Sequence, residues 1–139
     1  MKEVFNMIEK LEIPSDFDHL NKVEDLIDRT CAGQGVSEDN YGNVLIAVTE
    51  AFNNAIIHGH GLDKSKNVSV SVAKSDSEIC FTVTDSGAGF DFDNVDDPTA
   101  PSNIEKENGR GIYLMRHLAD RVEYENGGRE AVMYFKLDA

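Results

Sequence analysis

The chain has 139 residues, a length that suits one domain with its own hydrophobic core. Hydrophobic residues make up 40% of it and charged residues 28%, as in soluble globular proteins, and no apolar run is long enough to span a bilayer. Acidic residues outnumber basic ones by 26 to 13, which gives a net charge of −13 and argues against general nucleic-acid binding, since that requires a basic surface. The first residues lack the hydrophobic stretch of a signal peptide, so we expect a cytoplasmic protein.

The two cysteines, Cys31 and Cys80, have neither the spacing of metal ligands nor that of a disulfide framework. We predict that both are small buried thiols. The four histidines show no zinc-site arrangement with them.

The first half of the chain predicts a strand followed by two helices. Residues 4–13 alternate as a strand does. Ser15, with an acid three residues later, is typical of a helix start, and apolar residues then recur at helical spacing up to Gly33. Ser37 is predicted to cap a longer helix that runs to about residue 57.

The second of these helices has two unlike sides. Its core stripe is predicted to contain Tyr41, Val44, Leu45, Val48, Phe52, Ala55 and Ile56. At about 100° per residue, Glu50 and Asn54 lie on the opposite side, among Asn43, Ile46, Ala47 and Ile57. Small and apolar residues around two polar ones are typical of the wall of a pocket.

The second half of the chain predicts two hairpins and one more helix. Strands at 68–72 and 79–83 form the first hairpin, and strands at 122–124 and 131–135 form the second, joined by an Asn-Gly-Gly turn. Residues 93–108 belong to a stretch without periodicity that is predicted to be a lid or a binding loop, and a helix is predicted over 111–119. The order favours a single domain over 1–139: an α/β two-layer sandwich whose mixed, mainly antiparallel sheet carries helices on one face.

Three short segments carry the chemistry. The first contains Glu50 and Asn54, which are four residues apart and therefore share one helix face. An Asn amide oxygen suits Mg²⁺, which often takes only one or two ligands from protein, and a nearby carboxylate can accept a proton from an attacking hydroxyl. The alternative is an exposed Glu beside a helical Asn.

The second segment starts at Asp85, directly after a predicted strand, and continues with Gly87 and Gly89. A buried carboxylate can accept a hydrogen bond from the exocyclic amine of a base, and glycines allow the backbone to approach a flat ring closely. The alternative is an ordinary turn at the end of a strand, which uses the same residue types.

The third segment is Gly109, Arg110 and Gly111, at the start of the last predicted helix. Free N–H groups and the positive end of the helix dipole favour phosphate there, and Arg110 can add bidentate contacts. The alternative is a glycine-marked hinge of the lid with a surface arginine.

Taken together, the ordered segments resemble the ATP-binding domain of the gyrase, histidine-kinase and mismatch-repair ATPase superfamily. Within it, the chain is most similar to the anti-sigma-factor serine/threonine kinases of bacteria. The resemblance covers nearly the whole chain and depends on residues 50–59, 85–90 and 109–115. One difference is that the last predicted hairpin, residues 129–136, lacks the Thr or Ser that relatives often carry near the adenine.

The resemblance implies a role for each segment. Asn54 would hold Mg²⁺ against the phosphates of ATP, and Glu50 would be the catalytic base. Asp85 would receive the adenine amino group in a pocket shaped by Gly87 and Gly89. The remaining phosphate-side contacts would come from Gly109, Arg110 and Gly111 beneath the lid, with Lys106 as a further candidate.

The same resemblance implies an enzyme that transfers the γ-phosphate of Mg-ATP to a serine or threonine of an anti-sigma-factor antagonist. A second role, holding a sigma factor, is left open, and a homodimer is expected. No DNA or membrane partner is expected. Two alternatives stay open: a non-catalytic, nucleotide-gated module that binds proteins, and a catalytic domain for histidine phosphotransfer.

Overall fold

A computed structural model describes residues 4–59, 65–85, 117–125 and 129–137. The described helices are a 3₁₀ turn at Phe17–His19, α1 at Leu20–Gly33, α2 at Glu38–Asn54 and a π-helical turn at Ala55–Gly59. The described strands are β1 at Asn6–Pro14, β2 at Asn67–Lys74, β3 at Glu78–Thr84, β4 at Arg121–Glu125 and β5 at Glu130–Lys136.

The five strands form one sheet in the order β1-β2-β3-β5-β4. All four pairings are antiparallel, so the described part of the sheet contains no parallel pair. The register sets apolar side chains of neighbouring strands opposite one another on one face: Phe81 of β3 pairs with Val72 of β2 and with Met133 of β5. The predicted two-layer α/β sandwich with a mainly antiparallel sheet is confirmed.

The core lies between this face of the sheet and the two helices. Helix α1 packs against β1, and α2 packs against β3 and β5. The alternation of each strand directs every second side chain into this layer. Side chains that are fully buried there include Val23, Leu26, Ile27, Val44, Val48, Phe52, Val70, Val72, Ile79, Phe81 and Phe135.

The start of the first helical segment differs from its prediction. Ser15 does not cap the helix; its side chain is buried, and its backbone N–H donates to the carbonyl of Lys66 at 2.8 Å. Asp16 caps instead, because its carboxylate accepts from the N–H of Asp18 at 3.0 Å, and a 3₁₀ turn precedes α1. Ser and Asp are both good capping residues, so the sequence pattern cannot choose between adjacent ones.

Helix α2 begins as predicted and ends differently. Ser37 has an extended backbone, and its hydroxyl accepts from the N–H of Asn40 at 3.3 Å. The α-helix ends at Asn54 rather than near residue 57, and the last turn continues as a π-helix over Ala55–Gly59. Single π-turns inside or after α-helices occur often at functional sites.

Side-chain contacts hold the helices to each other and to the sheet. The Tyr41 hydroxyl of α2 donates to the carboxylate of Asp28 on α1. This hydrogen bond to the negatively charged carboxylate raises the pKa of Tyr41. Arg29 of α1 forms an ion pair with Glu9 of β1 at 2.7 Å between Nη2 and Oε1.

Several predicted features lie outside the described residues. These are the predicted lid at 93–108, the predicted Asn-Gly-Gly turn at 126–128, and residues 111–116 of the helix predicted over 111–119. Residues 117 and 118 of that helix are described, and they are helical. In the part of the chain that the structure describes, no helix has the length and apolar character needed to cross a membrane.

Replacing Phe81 by alanine should cost about 3–5 kcal/mol of unfolding free energy, because the ring is fully buried and packs edge-to-face on Phe135 with centroids 6.2 Å apart. The matched control is Phe17→Ala, since Phe17 is an exposed phenylalanine and should contribute far less. Urea denaturation of both variants measures the difference. Equal losses for the two variants would contradict this account of the core.

Both thiols should be unreactive in the native protein. Burial raises the pKa of Cys31 to about 11, with a smaller contribution from the negative charge of Asp28, and burial likewise raises the pKa of Cys80 to about 11. At pH 8 the thiolate fraction is then about a hundredfold below that of an ordinary cysteine. A chromogenic disulfide reagent should label both thiols quickly in denaturant and slowly in buffer.

Because the folded pKa values are raised, the stability that these thiols contribute should be lost as the pH rises from about 9 towards 11.

Candidate functional site

The direction of α2 over the sheet decides which residues can share a site. Near its start, the Asn40 side-chain amide donates to the carbonyl of Lys136 at 3.0 Å. Lys136 is the last residue of β5 and pairs with Glu78, the first residue of β3. Since α2 also packs along β3 and β5, it starts where β3 starts and runs in the same direction.

The lengths of these two elements then match. From Asn40 to Asn54 the helix advances about 21 Å at 1.5 Å per residue. From Glu78 to Asp85 an extended chain advances about 23 Å at 3.3 Å per residue. Asn54 and Asp85, which are far apart in sequence, therefore lie at the same end of the two layers.

Asn54 is a polar residue in a nearly buried position. It is 8% exposed, and its Nδ2 atom is buried without a hydrogen-bond partner among the residues that the structure describes. A buried donor that is left unpaired costs about 1–3 kcal/mol, so such a group calls for a ligand or another explanation. Glu50, one turn earlier, is only half-buried. Fully buried alanines, Ala47 and Ala51, lie on the core-facing side of this pair.

Asp85 follows β3 and is 7% exposed. Its backbone N–H donates to the carbonyl of Arg129 at 2.9 Å, one step beyond the pairing of Thr84 with Glu130. The aspartate is thus fixed by the main chain at the end of the β3–β5 ladder. This agrees with its predicted position at the end of a strand, and its burial distinguishes it from an exposed turn residue.

The other predicted site residues lie outside the described part of the chain. These are Gly87, Gly89, Gly109, Arg110 and Gly111, together with Lys106 of the predicted lid. Their roles in contacting adenine or phosphate stay predictions. Within the described residues, no group of three or more His, Cys, Asp or Glu side chains is arranged to hold a metal ion.

The described residues fit a nucleotide with its metal ion. The orphaned amide of Asn54 can supply its oxygen to a cation while its nitrogen donates to a phosphate oxygen. A buried carboxylate at Asp85 matches the exocyclic amine of adenine, which is a hydrogen-bond donor. Glu50 is accessible enough to meet a group that arrives from solvent.

One further polar group on this helix was not identified from the sequence. Asn53 is half-buried, and its Oδ1 atom is buried with no hydrogen-bond partner in the described part of the chain. It lies three residues after Glu50, on the side away from Asn54. The only sequence signal is its place inside the segment that contains Glu50 and Asn54, because an unpaired acceptor is visible only in three dimensions.

The family model of the histidine kinase-like ATPase domain matches residues 13–135 of this chain. Serine-protein kinase RsbW of Bacillus subtilis is 30% identical to it over 132 residues, which cover 91% of this chain and 82% of the relative. The chain belongs to the anti-sigma-factor kinase family of histidine kinase-like ATPase domains. The family predicted from the three segments is therefore confirmed, and membership implies ATP binding.

Further relatives agree with this assignment. The anti-sigma F factor of Clostridium perfringens is 34% identical over 101 residues, covering 69% of this chain and 72% of that protein. A crystal structure of the RsbU and RsbW domains of a Mycobacterium tuberculosis protein aligns with a TM-score of 0.64 over 94% of this chain and 33% of the other, at 18% identity. This structural likeness supports the fold.

Asn54→Leu tests whether the orphaned amide serves a ligand. The substitution removes an unpaired buried donor, so the unfolding free energy should stay within about 1 kcal/mol of wild type or rise. Affinity for Mg-ATP should fall at least tenfold, as measured by calorimetry with and without Mg²⁺. The control is Asn43→Leu, on the same helix about 16 Å earlier. A lower unfolding free energy with unchanged affinity for Mg-ATP would show that Asn54 is only structural.

Proposed function

We propose that this protein binds Mg-ATP and transfers the γ-phosphate to a serine or threonine of an anti-sigma-factor antagonist protein. The observation that carries the proposal is the orphaned amide of Asn54 beside Glu50, at the same end of the fold as the buried Asp85. The family supports it, since relatives are named serine-protein kinases and an anti-sigma factor.

Each of these side chains has a proposed role in the transfer. Asn54 would hold Mg²⁺ against the phosphates, where the cation neutralises charge that develops during transfer. Asp85 would accept a hydrogen bond from the adenine amine. Glu50 would take the proton of the acceptor hydroxyl as the hydroxyl oxygen bonds to the γ-phosphorus. The bond between that phosphorus and the bridging oxygen then breaks, and ADP leaves.

The proposal extends to the rest of the site and to the setting. Residues 93–108 would form a lid over the nucleotide, with Gly87 and Gly89 on the adenine side and Gly109, Arg110 and Gly111 on the phosphate side. A sigma factor is the proposed second partner, and nucleotide state would select between the two partners if it changes their relative affinities. The working form is proposed to be a homodimer in the bacterial cytoplasm, without DNA or membrane contacts.

The activity is tested with the purified chain, labelled ATP, Mg²⁺ and the anti-sigma-factor antagonist domains encoded in the same genome. Wild type should place acid-stable phosphate on the serine or threonine of one of them. Glu50→Gln should lower the transfer rate about 10²–10⁴-fold while ATP affinity stays within about twofold of wild type, because only the base is removed. Glu24→Gln, on the exposed side of α1, is the matched control.

Each alternative gives a different result. A non-catalytic, nucleotide-gated module would regulate its partner equally well with Glu50→Gln. A histidine phosphotransfer domain would give acid-labile phosphate. If wild type neither binds ATP nor labels any antagonist, the proposed function is wrong.

A further inference from the structure

Three residues of α2 and its π-helical turn form a strip beside Glu50. At about 100° per residue, Ile46 and Asn53 of α2 lie within about 20° of each other around the helix axis, and Ile57 follows on the π-helical turn. We call these three residues the acceptor strip. Two are large apolar residues and the third is an amide, so the strip is chemically unlike the charged surface usual for an exposed helix face.

The acceptor strip is unusual in its exposure. Ile46 is 45% exposed and Ile57 is 37% exposed, whereas Val44, Val48 and Phe52 on the same helix are fully buried. Between the two isoleucines along the chain lies Asn53, whose buried Oδ1 accepts no hydrogen bond from residues 4–59, 65–85, 117–125 or 129–137. An unsatisfied acceptor flanked by exposed apolar side chains is the composition expected of a docking site for a peptide segment, which brings both N–H donors and apolar side chains.

The position of the strip relative to Glu50 indicates which segment it binds. Around the helix axis, Asn54 lies about 40° to one side of Glu50 and Asn53 about 60° to the other. In phosphoryl transfer the attacking oxygen approaches roughly in line, opposite the leaving oxygen of the nucleotide. If Asn54 marks the nucleotide side of the carboxylate, the strip lies on the side from which the hydroxyl must arrive.

We propose that the acceptor strip binds the serine- or threonine-bearing segment of the protein that this kinase phosphorylates. Apolar side chains on both sides of the hydroxyl contact Ile46 and Ile57, and a backbone N–H donates to Oδ1 of Asn53 once the amide turns outward. This inference rests on the proposed kinase function and adds to it the residues that select the acceptor.

The spacing predicts the pattern of the acceptor segment. Ile46 lies about 6 Å before Glu50 along the helix axis, and Ile57 lies beyond Glu50 on the π-helical turn. An extended segment advances about 3.3 Å per residue. Because alternate side chains of an extended segment share a face, the apolar side chain that contacts Ile46 should stand two residues from the hydroxyl.

The test uses Ile46→Ala, Asn53→Ala and Ile57→Ala in the full chain, with an antagonist domain that wild type phosphorylates. Each variant should raise the KM for the antagonist by about five- to tenfold, while the KM for ATP and the melting temperature stay close to wild type. The control is Ile8→Ala on the edge strand β1, since Ile8 matches Ile57 in residue type and is 38% exposed. This control should leave both KM values unchanged.

The outcomes separate the strip from the kinase activity itself. If wild type labels no antagonist, the proposed function fails first and the inference fails with it. If wild type transfers phosphate and the strip variants keep a normal KM for the antagonist, the inference alone is overturned. It is likewise overturned if the variants change the KM for ATP, or change only the oligomeric state in sedimentation experiments.

Discussion

The packing of α2 against β3 and β5 is the contact on which the site depends. Fully buried side chains of the helix, Val44, Val48 and Phe52, lie against a sheet face built from Phe81, Met133 and their neighbours. Burial of such side chains is the main source of stability in a domain of this size. The Asn40–Lys136 hydrogen bond fixes which end of the sheet the helix starts from, and the length of α2 then brings Asn54 level with Asp85.

In this arrangement the unpaired polar groups of the site lie at one end of a well-packed core. Asn53 and Asn54 each have a buried amide atom without a partner, which opposes folding and is tolerated because the rest of α2 is so well packed. The acidic first turn of α2, with Glu38 and Asp39, lies at the opposite end. There the negative charges interact favourably with the helix dipole and are distant from the proposed triphosphate position.

The change from α- to π-helix directly after Asn54 has a structural consequence. It ends the regular α2 geometry at the residue proposed to hold the metal, and it presents Ile57 at the surface while Ala55 and Ile56 remain buried. The polar pair and the exposed apolar residues are therefore displayed by one continuous element, as the proposed positions of nucleotide and acceptor on neighbouring sides of Glu50 require.

Much of this could be read from the sequence. Period-two alternation determined β2, β3 and β5, helical spacing determined α1 and α2, and Ser37 determined where α2 begins, because these features depend on local geometry. The family and the pairing of Glu50 with Asn54 on one helix face were likewise accessible, since both depend on residue order. Only the tertiary structure decided that Asp16 rather than Ser15 caps the first helical segment, that α2 changes form at Asn54, and that Asn53 and Asn54 have unpaired amide atoms. Those features depend on which groups meet across the layers, and a linear pattern does not contain that information.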